Sequence, residues 1–129
     1  MPKRKPPGLE SIDEILVDAY GCEANLNDVE ALRRLAVAAV QAVGATVAET
    51  ASHRFQPHGT TICLILKESH LILSTWPEHG MAIVNLFLCN PRMSTRDCWK
   101  ILEHGLKPRH SVIWSVSHSV GPLESLEAA

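Results

Sequence analysis

The chain lacks the apolar run of about 20 residues that a membrane-spanning helix requires. Its first segment is basic but no apolar stretch follows it, so we expect no signal peptide, no membrane partner and a cytoplasmic location. Net charge is also small, −2 at pH 7, and the one basic cluster lies in the proline-rich start "MPKRKPPG". Because phosphate binding needs a clustered basic face, we expect no nucleic-acid partner.

Cysteine and histidine are present, but not in the spacings that hold metals or disulfides. No two of the four cysteines form a C-x-x-C pair, which argues against a zinc knuckle, and a disulfide framework is not expected in a reducing compartment. The seven histidines include no helical H-x-x-x-H pair, so no metal site is predicted. A G-x-S-x-G elbow is absent as well, and a hydrolase triad therefore has little support.

What the chain does contain is ordinary for one globular domain. It has 129 residues, of which 46% are apolar and 20% are charged. We predict a flexible N-terminal tail over residues 1–12, a single domain over 13–120 and a C-terminal tail over 121–129.

Apolar periodicity predicts two helices and six strands. The helices are expected over 25–44, with Asn27 or Asp28 as the cap, and over 94–106, with Gly105 near the end. The strands are expected over 14–22, 45–55, 60–67, 70–76, 81–89 and 110–117. Short turns between the middle strands favour antiparallel pairing. Two helices on one face of such a sheet make an α/β (α+β) two-layer sandwich.

The join between two central strand segments, from Lys67 to His70, is polar and contains no Gly, Pro or Asn. A tight turn without turn residues is expected to be strained, and strain is more often functional than accidental. Ser69 in this join is a candidate nucleophile, although a hydroxyl that satisfies a turn explains it as simply. Cys89 ends an apolar strand, either as a buried thiol or as a thiol that faces a pocket.

Three further candidates lie at strand ends. Phe55 and Trp76 are aromatic residues that either floor a site for a planar ligand or only close the core. Glu78 lies in a turn, where a solvated acid is the simplest explanation. Taken one at a time, these residues do not establish a function.

Taken together, four ordered motifs resemble those of the bacterial and archaeal S-adenosylmethionine decarboxylase proenzyme family. The motifs are "HRFQPHG", "ESHL", "STWPEHG" and "LFLC", and the resemblance covers roughly residues 14–120. It implies a two-layer α/β sandwich and a homodimer whose active sites draw residues from both protomers. It also implies self-cleavage between Glu68 and Ser69 into a 1–68 chain and a 69–129 chain.

The resemblance implies a pyruvoyl-dependent carboxy-lyase. Ser69 would become a covalent pyruvoyl group, the cofactor whose ketone forms a Schiff base with the substrate amine. Cys89 matches the thiol that returns a proton to the substrate carbon. Phe55 matches the aromatic residue that stacks on adenine, Glu78 matches the acid that binds the ribose hydroxyls, and Trp76 lies in the same motif. The implied product supplies aminopropyl groups for the synthesis of polyamines such as spermidine.

Two positions depart from the family pattern, and both concern cleavage. Ser74 stands where the family has the histidine expected to act as base, and Thr61 stands where a serine helps to stabilise the intermediate. Because a serine hydroxyl is too weakly acidic to serve as a base at neutral pH, His70, His79 or His58 would have to replace the missing histidine. The alternatives are a decarboxylase of ornithine or arginine, and an uncleaved, inactive homologue that pairs with an active subunit.

Overall fold

The computed structural model describes residues 8–128; residues 1–7, most of the expected N-terminal tail, lie outside the described residues. Within this range the chain forms six strands and three helices. In chain order they are β1 (Glu10–Tyr20), α1 (Val29–Ala42), β2 (Val47–Arg54), β3 (Thr60–Leu66), β4 (Ser69–Trp76), β5 (Met81–Phe87), α2 (Thr95–Leu106), β6 (His110–Val120) and α3 (Leu123–Glu127). One turn of 3-10 helix, Pro77–His79, joins β4 to β5.

The strands form one antiparallel sheet in the order β2-β3-β4-β5-β1-β6. From β2 to β5 each strand pairs with the next along the chain, because an antiparallel partner needs only a short reversal. The first strand, β1, instead lies between β5 and β6. The antiparallel sheet predicted from the short turns is confirmed.

One face of the sheet packs against α1 and α2. Alternation along a strand places every second side chain on this face. The largest fully buried apolar side chains that the strands contribute are Ile15, Val17, Ile62, Leu64, Leu71, Leu73, Val84 and Leu86. They form one core cluster with buried residues of both helices, so the predicted two-layer sandwich with two helices on one face is confirmed.

A cap fixes the start of α1, and a glycine allows α1 and α2 to pack closely. Asp28 caps α1 by accepting a hydrogen bond from the Ala31 N–H, with N and O 3.0 Å apart. Gly105 lies near the end of α2, as predicted, and also has a role in packing. A Cβ at this position would lie 2.4 Å from Leu35 Cδ1, so the glycine permits the close approach of α1 and α2.

One predicted domain boundary differs from the structure. The N-terminal boundary at residue 12 falls inside β1, because β6 pairs with β1 along its whole length, from Glu10 opposite Val120 onward. Ile12 is only 5% exposed and belongs to the fold. At the other end, β6 ends at Val120, where the domain was predicted to end, and the short helix α3 follows within the expected tail.

The other face of the sheet, which we call the open sheet face, is not covered by a helix among the described residues. Adjacent strands place apolar and polar side chains there in shared rows, such as Ile65 opposite His70 and Leu16 opposite Trp114. Leu16, Ile65, Trp114 and Val116 are between 36% and 49% exposed on this face. Large apolar side chains left this accessible mark a surface suited to contact with another molecule.

Candidate active site

The turn between β3 and β4 is strained at the residue that precedes Ser69. Leu66 pairs with Ser69, so only Lys67 and Glu68 form the turn. Glu68 has a φ of 63°, a left-handed conformation that costs a residue with a side chain about 1–2 kcal/mol. The structure therefore agrees with the strain expected from a tight turn without turn residues.

Cys89 follows β5 and contacts this turn. Its thiol donates a hydrogen bond to the backbone carbonyl oxygen of Glu68, 21 positions earlier in the chain. The Ser69 hydroxyl donates to the Lys67 carbonyl oxygen at 3.3 Å, so nucleophile and thiol lie at the same turn. A donor on a carbonyl oxygen withdraws electron density from the carbonyl carbon, and here that carbon belongs to the Glu68–Ser69 peptide bond.

The protonation state of Cys89 fits a donor. Burial raises the pKa of its thiol above the ordinary 9.0, and the carboxylates of Glu68 and Glu10 act in the same direction. The thiol therefore stays protonated at neutral pH, and can donate a hydrogen bond or a proton rather than attack as a thiolate.

Two cavities are lined by all of the candidate site residues except His70 and His79. The hairpin cavity has a volume of about 270 Å³ and is lined by Lys67, Glu68, Ser69, Cys89 and Asn90, with Ala45, Thr46, Pro91 and Met93. The strand-end cavity has a volume of about 360 Å³ and is lined by Phe55, His58, Thr61, Ser74, Trp76 and Glu78, with Gly59, Thr60 and Thr75. The first cavity therefore holds the expected cleavage-site residues and the second holds the expected substrate-binding residues.

In the strand-end cavity the polar side chains are paired. The hydroxyl oxygens of Thr61 and Ser74 lie 3.2 Å apart across β3 and β4. The His58 imidazole contacts Glu78 Oε2, a pairing that sequence reasoning missed because both residues read as parts of separate turns. Phe55 and Trp76 remain 48% and 38% exposed, so their rings are accessible to a ligand.

The two cavities lie at opposite ends of β4. Ser69 is the first residue of this strand and Ser74 is the sixth. A rise of about 3.3 Å per residue separates their backbones by roughly 17 Å. One protomer therefore does not bring Ser69 together with Ser74, Thr61 and the substrate-binding candidates.

His70, the third candidate for cleavage, lies in neither cavity. Its Nε2 is 2.7 Å from the side-chain oxygen of Asn85 on the open sheet face. The Asn85 amide donates to Glu14, whose other carboxylate oxygen lies 2.9 Å from His118 Nε2. His70 therefore belongs to a polar network across β4, β5, β1 and β6.

Glu14 is the charged centre of this network. Hydrogen bonds, first from Asn85 and then from His118, lower the pKa of its carboxyl below the ordinary 4.5. A carboxyl whose pKa is lower in the folded state stabilises the fold above its unfolded pKa. This contribution disappears as the pH falls through the folded-state pKa.

A Glu14→Gln variant should therefore lose about 1–2 kcal/mol of unfolding free energy at pH 7, because bonds to a charged acceptor are replaced by neutral ones. The difference from the wild type should narrow as the pH falls below 4.5. Urea unfolding at neutral and acidic pH measures both effects, with Glu103→Gln on the exposed side of α2 as control. A difference that is constant with pH would contradict this role of Glu14.

Among residues 8–128, no group of three or more His, Cys, Asp or Glu side chains is arranged to hold a metal ion. In the same range no helix has both the length and the apolar character needed to cross a membrane.

Comparison with known proteins agrees with this geometry. The family model described as S-adenosylmethionine decarboxylase matches residues 13–118, and the chain belongs to that family. The S-adenosylmethionine decarboxylase proenzyme of Methanococcus maripaludis is 33% identical over 107 residues, which cover 82% of this chain and 88% of the relative. The proenzyme of Caldanaerobacter subterraneus subsp. tengcongensis is 36% identical, with 82% and 86% covered.

A solved structure gives the same result at the level of the fold. The crystal structure of the adenosylmethionine decarboxylase from Aquifex aeolicus superimposes with a TM-score of 0.74 at 32% sequence identity. The match covers 89% of this chain and 92% of the other chain. Residues 13–118, which the family model matches, include the residues that line both cavities, so the family resemblance extends over the candidate site as well as over the core.

Proposed function

We propose that the chain is a proenzyme that cuts itself between Glu68 and Ser69 and then decarboxylates S-adenosylmethionine, which provides aminopropyl groups for polyamine synthesis. The observation that carries this proposal is the turn itself. A strained Glu68–Ser69 join lies beside a protonated thiol that donates to the Glu68 carbonyl. The proenzyme names of the relatives support the same reading.

The cleavage chemistry uses Ser69 as its nucleophile. Its Oγ attacks the carbonyl carbon of Glu68, the C–N bond breaks, and the proton of the hydroxyl passes to the freed nitrogen, leaving an ester. A base then removes the Cα proton of Ser69, and the Cβ–O bond breaks to expel the Glu68 carboxylate. The remaining dehydroalanine tautomerises to an imine, and water converts the imine into a ketone with release of ammonia.

The surroundings of Ser69 fit a pyruvoyl group. Ser69 lines the hairpin cavity with Cys89, and His70 pairs with Phe87 of β5, so the sheet anchors the new chain end one residue away. Such a group supplies an electrophilic ketone for a substrate amine and an electron sink for the loss of CO₂. Cys89, protonated at neutral pH, is suited to return a proton to the substrate carbon as a general acid.

The strand-end cavity fits the nucleoside part of S-adenosylmethionine. The exposed rings of Phe55 and Trp76 offer flat apolar surfaces for adenine, and Glu78 offers a carboxylate for the ribose hydroxyls. His58 Nε2 contacts Oε2 of Glu78, and a carboxylate has a second oxygen that can accept from a ligand. Ornithine and arginine have neither adenine nor ribose, so these side chains favour S-adenosylmethionine.

A homodimer would complete the site. Because the two cavities lie at opposite ends of β4, the hairpin cavity of one protomer needs the strand-end cavity of its partner. The open sheet face, with exposed Leu16, Ile65 and Trp114, is the surface on which a second copy would pack. The four cysteines are thiols, which suits the reducing cytoplasm as the compartment of this enzyme.

One mass measurement on the purified protein tests the proposal. We expect two chains divided between residues 68 and 69, the second about 17 Da lighter than a chain that begins with serine, because ammonia is lost. The cleaved protein should release CO₂ from carboxyl-labelled S-adenosylmethionine, at a rate at least about 100-fold above that with ornithine or arginine. A chain that stays whole on prolonged incubation would contradict the proposal and would favour an inactive homologue.

A further inference from the structure

We propose that His58 is the general base of the elimination step, acting from the strand-end cavity of one protomer on the Cα proton of Ser69 in the partner. The inference rests on the proposed self-cleavage and on the shared site. It assigns a base to this step, because Ser74, which stands at the position of the family histidine, has no group that can act as a base at neutral pH.

The hairpin cavity contains no suitable base of its own. Cys89 is protonated, since burial raises the pKa of its thiol, and the exposed Lys67 side chain offers hydrogen-bond donors rather than an acceptor. Ser69 is the reacting residue, and Glu68 forms the leaving group. No imidazole lines this cavity among the described residues. The base therefore has to come from the other half of the shared site.

The strand-end cavity supplies one imidazole, that of His58. It lines the same cavity as Thr61 and Ser74. The Glu78 carboxylate contacts its Nε2, and a carboxylate partner orients an imidazole and stabilises the cation that forms when it accepts a proton.

The turn that carries His58 is held on both sides. The Phe55 N–H donates to the Gly59 carbonyl at 2.8 Å, and this closes the turn around His58. The Gly59 N–H donates to the Asn27 side-chain oxygen at 2.9 Å, and this ties the turn to the start of α1. A base on a fixed turn keeps a defined position, which proton transfer requires.

The other histidines are less suited to this step. His70 is bound to Asn85 in the network of the open sheet face, and His53 packs its ring on Phe55 with centroids 4.6 Å apart. His79 follows Glu78 in the 3-10 turn but does not line the strand-end cavity. The remaining three lie on α2 and β6, away from both cavities.

The test follows cleavage of newly made chains over time in a cell-free translation system. A His58→Gln chain should form the pyruvoyl end at least about 100-fold more slowly than the wild type, the usual contribution of a general base. It should accumulate the ester, since Ser69 can still attack Glu68. Hydroxylamine cuts an ester but not a peptide bond, so treatment should divide the variant between residues 68 and 69 into a hydroxamate and a serine-initiated chain.

A second variant separates a catalytic role from a structural one. In the His58→Gln background, Ser74→His places an imidazole back in the same cavity, and pyruvoyl formation should recover at least about tenfold. His79→Gln is the matched control and should cleave at the wild-type rate. Circular dichroism and thermal melting check that every variant is folded.

The other possible outcomes contradict either the assignment of His58 or the proposed function as a whole. Pyruvoyl formation by His58→Gln at the wild-type rate, or arrest of this variant without a hydroxylamine-sensitive bond, would overturn the assignment while leaving self-cleavage intact. Arrest at the ester in His53→Gln or His70→Gln, with His58→Gln unaffected, would move the base to that residue. A wild-type chain that never cleaves would overturn the proposed function and this assignment with it.

Discussion

Replacing Ser69 with alanine should leave the protein as a single uncut chain that releases no measurable CO₂ from S-adenosylmethionine. Alanine keeps the backbone and the Cβ of serine but removes the hydroxyl that attacks Glu68, so neither the ester nor the ketone can form. We expect a loss of at least about 1,000-fold in both cleavage and decarboxylation. Intact-mass spectrometry and labelled CO₂ release measure the two effects on the same preparation.

The fold should tolerate this change. The Ser69 hydroxyl makes one bond, to the Lys67 carbonyl, in an exposed turn, so its removal costs the fold little. Ser111→Ala on β6 is the matched control, a serine of similar partial exposure outside both cavities. Division of the Ser69→Ala chain between residues 68 and 69 would remove Ser69 from its proposed role.

Co-expression of two inactive chains should restore activity when their defects lie in different cavities. One chain carries Ser69→Ala, and the other carries Phe55→Ala with Glu78→Ala in the strand-end cavity. In the mixed dimer, one site then joins the intact hairpin cavity of the second chain to the intact strand-end cavity of the first. Random pairing makes half of the dimers mixed, each with one intact site of two, so we expect about one quarter of wild-type activity.

A matched pair with defects in the same cavity provides the control. Ser69→Ala and Cys89→Ala both affect the hairpin cavity, so every site of their mixed dimer has one altered hairpin cavity. This pair should remain inactive. No recovery in either experiment would mean that each protomer holds a complete site, and the separation of Ser69 from Ser74 along β4 would need another explanation. Recovery by the same-cavity pair would mean that Ser69 and Cys89 of one chain serve different sites, which would contradict a shared hairpin cavity.

Short apolar segments bounded by turns were sufficient to predict the strands of the central sheet. In β3, β4 and β5 every second residue is buried, although the apolar residues of these segments occupy both faces. The start of β1 was not predictable in this way, because Glu10 is held in the sheet by Val120, more than a hundred positions later. The packing role of Gly105 was not predictable for a similar reason, since the contact that needs a glycine is with Leu35 of another helix.

The residues of the candidate site were predictable from the sequence, but the contacts between them were not. The family motifs marked Ser69 and Cys89 individually. The structure adds that the Cys89 thiol contacts the carbonyl oxygen of Glu68, the residue before Ser69. The pairing of His58 with Glu78 joins two turns 20 positions apart, and nothing in either turn indicates it. Side chains on turns carry no periodicity, so such contacts emerge only when the sheet brings the turns together.

The place of β1 in the sheet has a consequence for the protein after cleavage. The first fragment holds β1, β2 and β3, the second holds β4, β5 and β6, and β1 lies between β5 and β6 of the second. The two polypeptides are thus interlocked by ladders on both sides of β1 as well as by the β3–β4 pair. Cleavage turns a unimolecular folding reaction into assembly of two partners, so the cut protein, once denatured, should regain its structure only at a rate that depends on concentration.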